Sequence, residues 1–207
     1  MGAPVVVGRA IEEFADRLVE SVRTRADNSN QVYSDAARLL GLPPPTRTIL
    51  TGRELTGTVT ERQVEISETL TPGKRGITYV VTQPPVGLGL RIVRHFWTNN
   101  IGRNGWAAEL FDDREFTDKF NIETHSPEAI VEFLTPELRA QLLTLLGRYP
   151  TLAVTETKIS AELYERPKSG EQIAATVNEL VDLSCAIAGP GPSAQGVVSQ
   201  PTGSPAP

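Results

Sequence analysis

Between Ser169 and Ala188, Ile173, Val177, Leu180, Val181, Ser184, Ile187 and Ala188 recur at helical spacing, while Glu171, Asn178, Glu179 and Asp182 fall on the opposite side. A helix divided in this way needs a surface to cover. Each large aliphatic gains roughly 1.5–3 kcal/mol by burial, before the entropy of ordering is subtracted. The residues just ahead supply that surface. In Lys158 to Tyr164, Ile159, Ala161 and Leu163 alternate with polar residues, the period of a strand with one wet face. Leu152 to Thr155 is its hairpin partner across Glu156-Thr157, a turn without the Gly or Asn that tight hairpins favour. Ser169-Gly170-Glu171-Gln172 reads as a capping box, with Gln172 in reach of the Ser169 amide.

Two further helix starts precede this unit. Ser126-Pro127-Glu128 stands ahead of Ala129, Ile130, Phe133 and Leu134, and Thr135-Pro136-Glu137 stands ahead of Leu138, Leu142 and Leu145. Proline at the first helical position loses nothing by lacking an N–H, and the Ser or Thr before it can cap a free amide. Pro136 also biases Thr135 away from helical dihedrals, which predicts two short helices meeting at a corner, the second stopping near Gly147.

Towards the N-terminus, Ile11, Phe14, Ala15, Leu18 and Val22 mark one helix, ended by Asp27-Asn28-Ser29-Asn30, and Tyr33, Ala36, Ala37 and Leu40 mark a second running to Gly41. Pro43-Pro44-Pro45 sets this pair off as a stiff spacer. Beyond it, Leu55 to Val59, Val64 to Ser67, Ile77 to Thr82 and Leu88 to Ile92 predict a four-strand antiparallel meander, with Pro84-Pro85 linking the last two strands. Trp106 to Phe111 suits another short strand. The form V-T-E-x-x-(V/I) occurs at Val59 to Val64 and again at Val154 to Ile159, as a repeated hairpin or, more simply, as two polar turns that converged. From Gly189 the chain carries no charge and is dominated by Gly, Pro, Ser, Ala and Gln, a composition expected to stay disordered. The expected class is therefore α+β: an antiparallel sheet packed against helices over 46–188, an N-terminal helical pair in 1–42, and a disordered tail over 189–207.

A net charge of -5 argues against non-specific nucleic-acid binding, which needs a basic face to displace counterions. The single Cys185 cannot form an internal disulfide, and on the last helix it reads as a small buried residue. No apolar run approaches the roughly 20 residues of a membrane span, and the first residues lack the pattern of a secretion signal, so a cytoplasmic location with no membrane partner is expected.

His95 and His125 are the two histidines. His125 reads as a surface residue leading into Ser126. His95 lies beside Trp97 and close to Asn99, Asn100, Arg103 and Trp106, a set that could line a small-molecule pocket of aromatic walls and fixed polar groups; packing along a strand edge explains the same residues. Glu156-Thr157-Lys158 has the acid-x-Lys form of metal-dependent nucleases, with Asp112 or Asp113 as the upstream acid, and equally the form of solvated turn residues. No serine sits in a G-x-S-x-G turn, and the Gly73-Lys74 and Gly87-x-Gly89 spacings do not make a phosphate loop or a dinucleotide fingerprint.

Arg114-Glu115-Phe116 through Phe120, Leu134-Thr135-Pro136-Glu137-Leu138 and the hairpin before Ser169 together resemble α+β domains of bacterial proteins of unknown function. The resemblance implies a fold and no activity. The expectation is a non-enzymatic protein-binding or assembly module of a bacterial cytoplasmic protein, with a protein partner or a homo-oligomer and neither cofactor, metal nor catalytic residue. The alternatives are a small-molecule-binding domain around His95 and Trp97 and a metal-dependent nuclease using Glu156 and Lys158.

Overall fold

A computed structural model describes residue 20 and residues 28–48, 52–71, 74–94 and 110–188 of the chain. Helix α1 covers 28–40. It is followed by strands β1 (Thr46–Thr48), β2 (Gly52–Val59), β3 (Arg62–Thr71), β4 (Lys74–Thr82) and β5 (Arg91–Arg94). Then come α2 (Arg114–Lys119), β6 (Phe120–Glu123), α3 (Pro127–Phe133), α4 (Pro136–Arg148), β7 (Ala153–Thr155), β8 (Lys158–Leu163) and α5 (Gly170–Ala188). The strands form one 8-stranded sheet in the order β1-β2-β3-β4-β8-β7-β5-β6, antiparallel at each pairing, so the class is α+β.

Strand alternation puts the apolar residues on one face, where cross-strand partners line up. Ile122, Ile92, Val154, Ile159, Val81 and Val64 form one continuous row through successive register pairs, and Ala161, Tyr79, Ile66 and Leu55 form a second. All are buried. Helix α5 lies over β4 and β8 with Ile173, Val177, Leu180 and Val181 buried, and α4 contributes Leu138, Leu142, Leu145 and Leu146. Thr56, Thr58, Gln63, Glu65, Thr82 and Lys158, on the opposite face, are exposed.

Helix α1 joins the same layer. Tyr33, Ala36 and Ala37 are buried, and Arg53 of β2 donates to Asn30 (2.8 Å) while its guanidinium lies 5.9 Å from the Tyr33 ring centre. Arg53 also pairs with Glu68 (3.1 Å), its neighbour on the next strand, so two largely buried charges satisfy each other beneath α1. The helix closes on a Schellman motif: Gly41 has φ +66, its amide donates to Arg38 O, and the Leu42 amide donates to Ala37 O. Leu42 then drops onto the sheet at Gly57, where a Cβ would stand 2.7 Å from Leu42 Cδ2. The proline run thus leads directly from a docked helix to β1.

Several expectations change. Asn28, Ser29 and Asn30 are helical and belong to α1; the Ile11, Phe14, Ala15, Leu18 and Val22 stripe and the 189–207 tail lie outside the described residues. The four-strand meander fails at its last member. Residues 83–90 run as irregular chain, β5 starts only at Arg91, and it pairs with β6 and β7, because β8 occupies the free side of β4. Gly87 and Gly89 take left-handed φ of +82 and +62, a path no strand follows. Of the strand expected over Trp106 to Phe111, 106–109 lie outside the described residues and Leu110 and Phe111 are not in a strand. Strands β1 and β6 carried no sequence expectation. Gln172 Oε1 accepts from the Lys168 amide (2.6 Å), one residue before the expected one, and Cys185 is partly buried against the core.

The V-T-E similarity separates by register. Val59 pairs with Arg62 across a Thr60-Glu61 turn, whereas Val154 pairs with Ile159 across Glu156-Thr157. The two turns are offset by one residue, so the matching letters do not mark equivalent turn positions.

Candidate functional site

Strand β8 ends at Leu163 and α5 starts at Gly170, so Tyr164 to Ser169 must cross from sheet to helix over the core. The crossing forms one wall of a groove of about 690 Å³. The groove lies within the size range of ligand-binding clefts. Its floor is the buried Tyr79 and Thr176; the Arg166-Pro167-Lys168 strap, Gln172, Arg148, Pro150 and Thr151 line it above, with the exposed Tyr164 and Glu165.

Each part has a local cause. Thr151 Oγ1 donates to Glu162 O (2.7 Å) and accepts from the Glu162 amide (2.6 Å), so one side chain fixes the segment after α4 to the end of β8. Below the floor, the Tyr149 hydroxyl donates to Glu179 Oε2 (2.8 Å) and stands 3.4 Å from Thr176 Oγ1, which donates to Gln172 O. Arg148 pairs with Glu179 from outside. Burial pushes the Tyr79 hydroxyl well above its ordinary pKa, with Tyr149 nearby adding to the effect; burial likewise raises Tyr149. These phenols stay protonated and are held by Thr176 and Glu179. Tyr164, 55% exposed, donates to Glu162 Oε2 (3.1 Å), which raises its own pKa and fixes its ring at the rim.

The strap has a second cavity behind it. A space of about 150 Å³ is lined by Asn28, Ser29, Val32, Tyr33, Glu68 and Ile77 together with Arg166, Pro167 and Lys168. The Tyr33 hydroxyl is buried without a hydrogen-bond partner among the described residues, and burial, with Glu68 beside it, drives its pKa upward.

The six residues expected to line a pocket, His95, Trp97, Asn99, Asn100, Arg103 and Trp106, lie outside the described residues. Glu156 is described, and it holds a loop. Its carboxylate accepts from the amides of Gly87 and Leu90 (2.9 Å for Leu90), with those of Leu88 and Gly89 also directed at it, a cup of successive N–H groups closed on a side chain. Gln83 reinforces the junction by donating to Thr155 O and, through its amide, to Thr157 O. Lys158 is exposed, and Asp113 caps α2 while accepting from Arg139 (2.9 Å). The ring of His125 lies over Gly89, where a Cβ would stand 2.6 Å from Nδ1. Among the described residues no group of three or more His, Cys, Asp or Glu could hold a metal ion, and no helix is long and apolar enough to cross a membrane.

Sequence reasoning missed the groove. The available signal was Tyr164-Glu165-Arg166-Pro167-Lys168, an aromatic and charged loop stiffened by proline between two rigid elements, the position where binding residues concentrate. Compared with known proteins, the chain matches no family model, no curated protein and no solved structure.

Proposed function

We propose that this chain is a non-enzymatic binding module that receives a segment of a protein partner in the groove beside the Arg166-Pro167-Lys168 strap. One observation carries the reading: a groove of about 690 Å³ combines a rigid floor, Tyr79 and Thr176, with an exposed aromatic rim, Tyr164. Tyrosine serves such surfaces because it offers a large rigid area and a polar tip at small entropic cost. The floor is held by the α5 and β4 core, so the site is preformed and little ordering energy is lost when it is filled.

The test places a photo-crosslinking amino acid at position 164 in cells of the native host, with Val131, exposed on α3 and absent from the groove lining, as the control position. The expected result is a discrete adduct from position 164 and none from position 131; a second copy of the chain as the adduct would identify a homo-oligomer. No adduct at 164, or the same adducts from both positions, refutes the proposal. The groove volume also suits a small molecule, and native mass spectrometry separates the readings, since a retained mass of drug size transfers the site to a small ligand.

A further inference from the structure

We propose that the partner segment is acidic and that its carboxylates pair with Arg166 and Lys168; this rests on the groove being the binding site. Arg166 and Lys168 are exposed, and among the described residues their side chains make no hydrogen bond or ion pair. Among the described residues five other arginines are paired with acids: Arg38 with Asp35, Arg53 with Glu68, Arg91 with Glu123, Arg139 with Asp113 and Arg148 with Glu179. Pro167 between the two cations stiffens the strap that carries them, so both are presented along the groove wall with less freedom to lose on pairing.

The acids around the groove do not cancel this charge. Glu179 is taken by Arg148 and Tyr149. Glu162 lines the groove at its Tyr164 end, where its Oε2 accepts from the Tyr164 hydroxyl. Glu165, at the rim, is the remaining acid among the lining residues. It sets the polarity of the site, with carboxylates welcome at the strap and a neutral or basic residue suited to the Tyr164 end.

The experiment uses the full chain and fluorescein-labelled peptides of about six residues, alternating Ala with Glu, Gln or Lys, followed by fluorescence anisotropy, with an oligothymidylate as a further probe. The Glu peptide is expected to bind best, to weaken with added salt, and to lose about tenfold in affinity in the double variant Arg166→Gln/Lys168→Gln. The control Arg47→Gln/Lys119→Gln, which removes two exposed cations outside the groove, is expected to bind as the parent chain does. Thermal denaturation of both variants checks that the fold is kept; should the double variant unfold, the single Lys168→Glu gives the same readout. Equal binding of the Gln peptide, unaltered binding in the strap variants, tighter binding of the oligothymidylate, or no binding of the Glu peptide each overturns the acidic partner. A position-164 adduct that persists alongside any of these results leaves the groove standing and removes only its charge preference, whereas loss of the adduct removes both.

Discussion

Glu156 shows how one side chain can shape a segment that sequence periodicity misreads. Partial burial raises its carboxyl, but the amides of Leu90, Gly87, Leu88 and Gly89 together hold its pKa below the ordinary carboxylate value. A carboxylate with a depressed folded pKa contributes stability that is complete above its unfolded pKa of about 4.3 and is lost as pH falls through the lower folded value. Glu156→Gln is expected to cost about 1 kcal/mol at neutral pH, since water can reach part of the loop and replace some of the bonds. In urea titrations the gap between parent and variant should close below pH ~4; a gap unchanged by acid would show that the amide cup does not depend on the charge. The second residue-scale prediction concerns Thr60 and Glu61, non-glycine residues held at φ +46 and +64 to make the β2–β3 turn. A β-branched residue there is strained, and Asn-Gly is the pair that this turn favours. Thr60→Asn/Glu61→Gly is expected to gain about 1 kcal/mol in denaturant unfolding.

At the scale of elements, the seating of α1 on α5 depends on a missing side chain. A Cβ on Gly170 would stand 2.6 Å from the Ala36 amide nitrogen and 2.7 Å from Asp35 Cβ, so α1 crosses the start of α5 nearly backbone to backbone. Helix propensity favours Gly170→Ala by up to about 1 kcal/mol, whereas overpacking against a buried backbone costs about 1–3 kcal/mol. Net destabilisation is expected in thermal unfolding, and a stabilised variant would mean that α1 does not seat there. Elements were legible where two signals coincided. For α3 and α4, a proline at the first position and an apolar stripe gave both start and face; Thr135 Oγ1 does accept from the Leu138 amide, while Ser126 makes no such side-chain bond. For α5 the stripe alone sufficed. Strands β1 and β6, of 3 and 4 residues, are shorter than any periodicity can report, and β6 follows α2 with no break, its Phe120 ring 5.0 Å from that of Phe116.

On the scale of the whole molecule, periodicity shows which face of a strand is buried but not which strand lies beside it. Val81 meets Ile159 and Ile92 meets Val154 across long stretches of chain, and nothing near those residues announces the partner. The groove was hidden for the same reason: Tyr79, Arg148, Tyr164 and Thr176 come from four separate places, assembled only once β8 sits beside β4. That insertion has a price in time. As the polypeptide leaves the ribosome, the hydrogen-bonding side of Lys74–Thr82 stays open until Lys158–Leu163 has been made, and distant pairings of this kind are reached slowly. Through that interval the nascent half-sheet carries an unpaired rim, the kind of edge on which other chains can add.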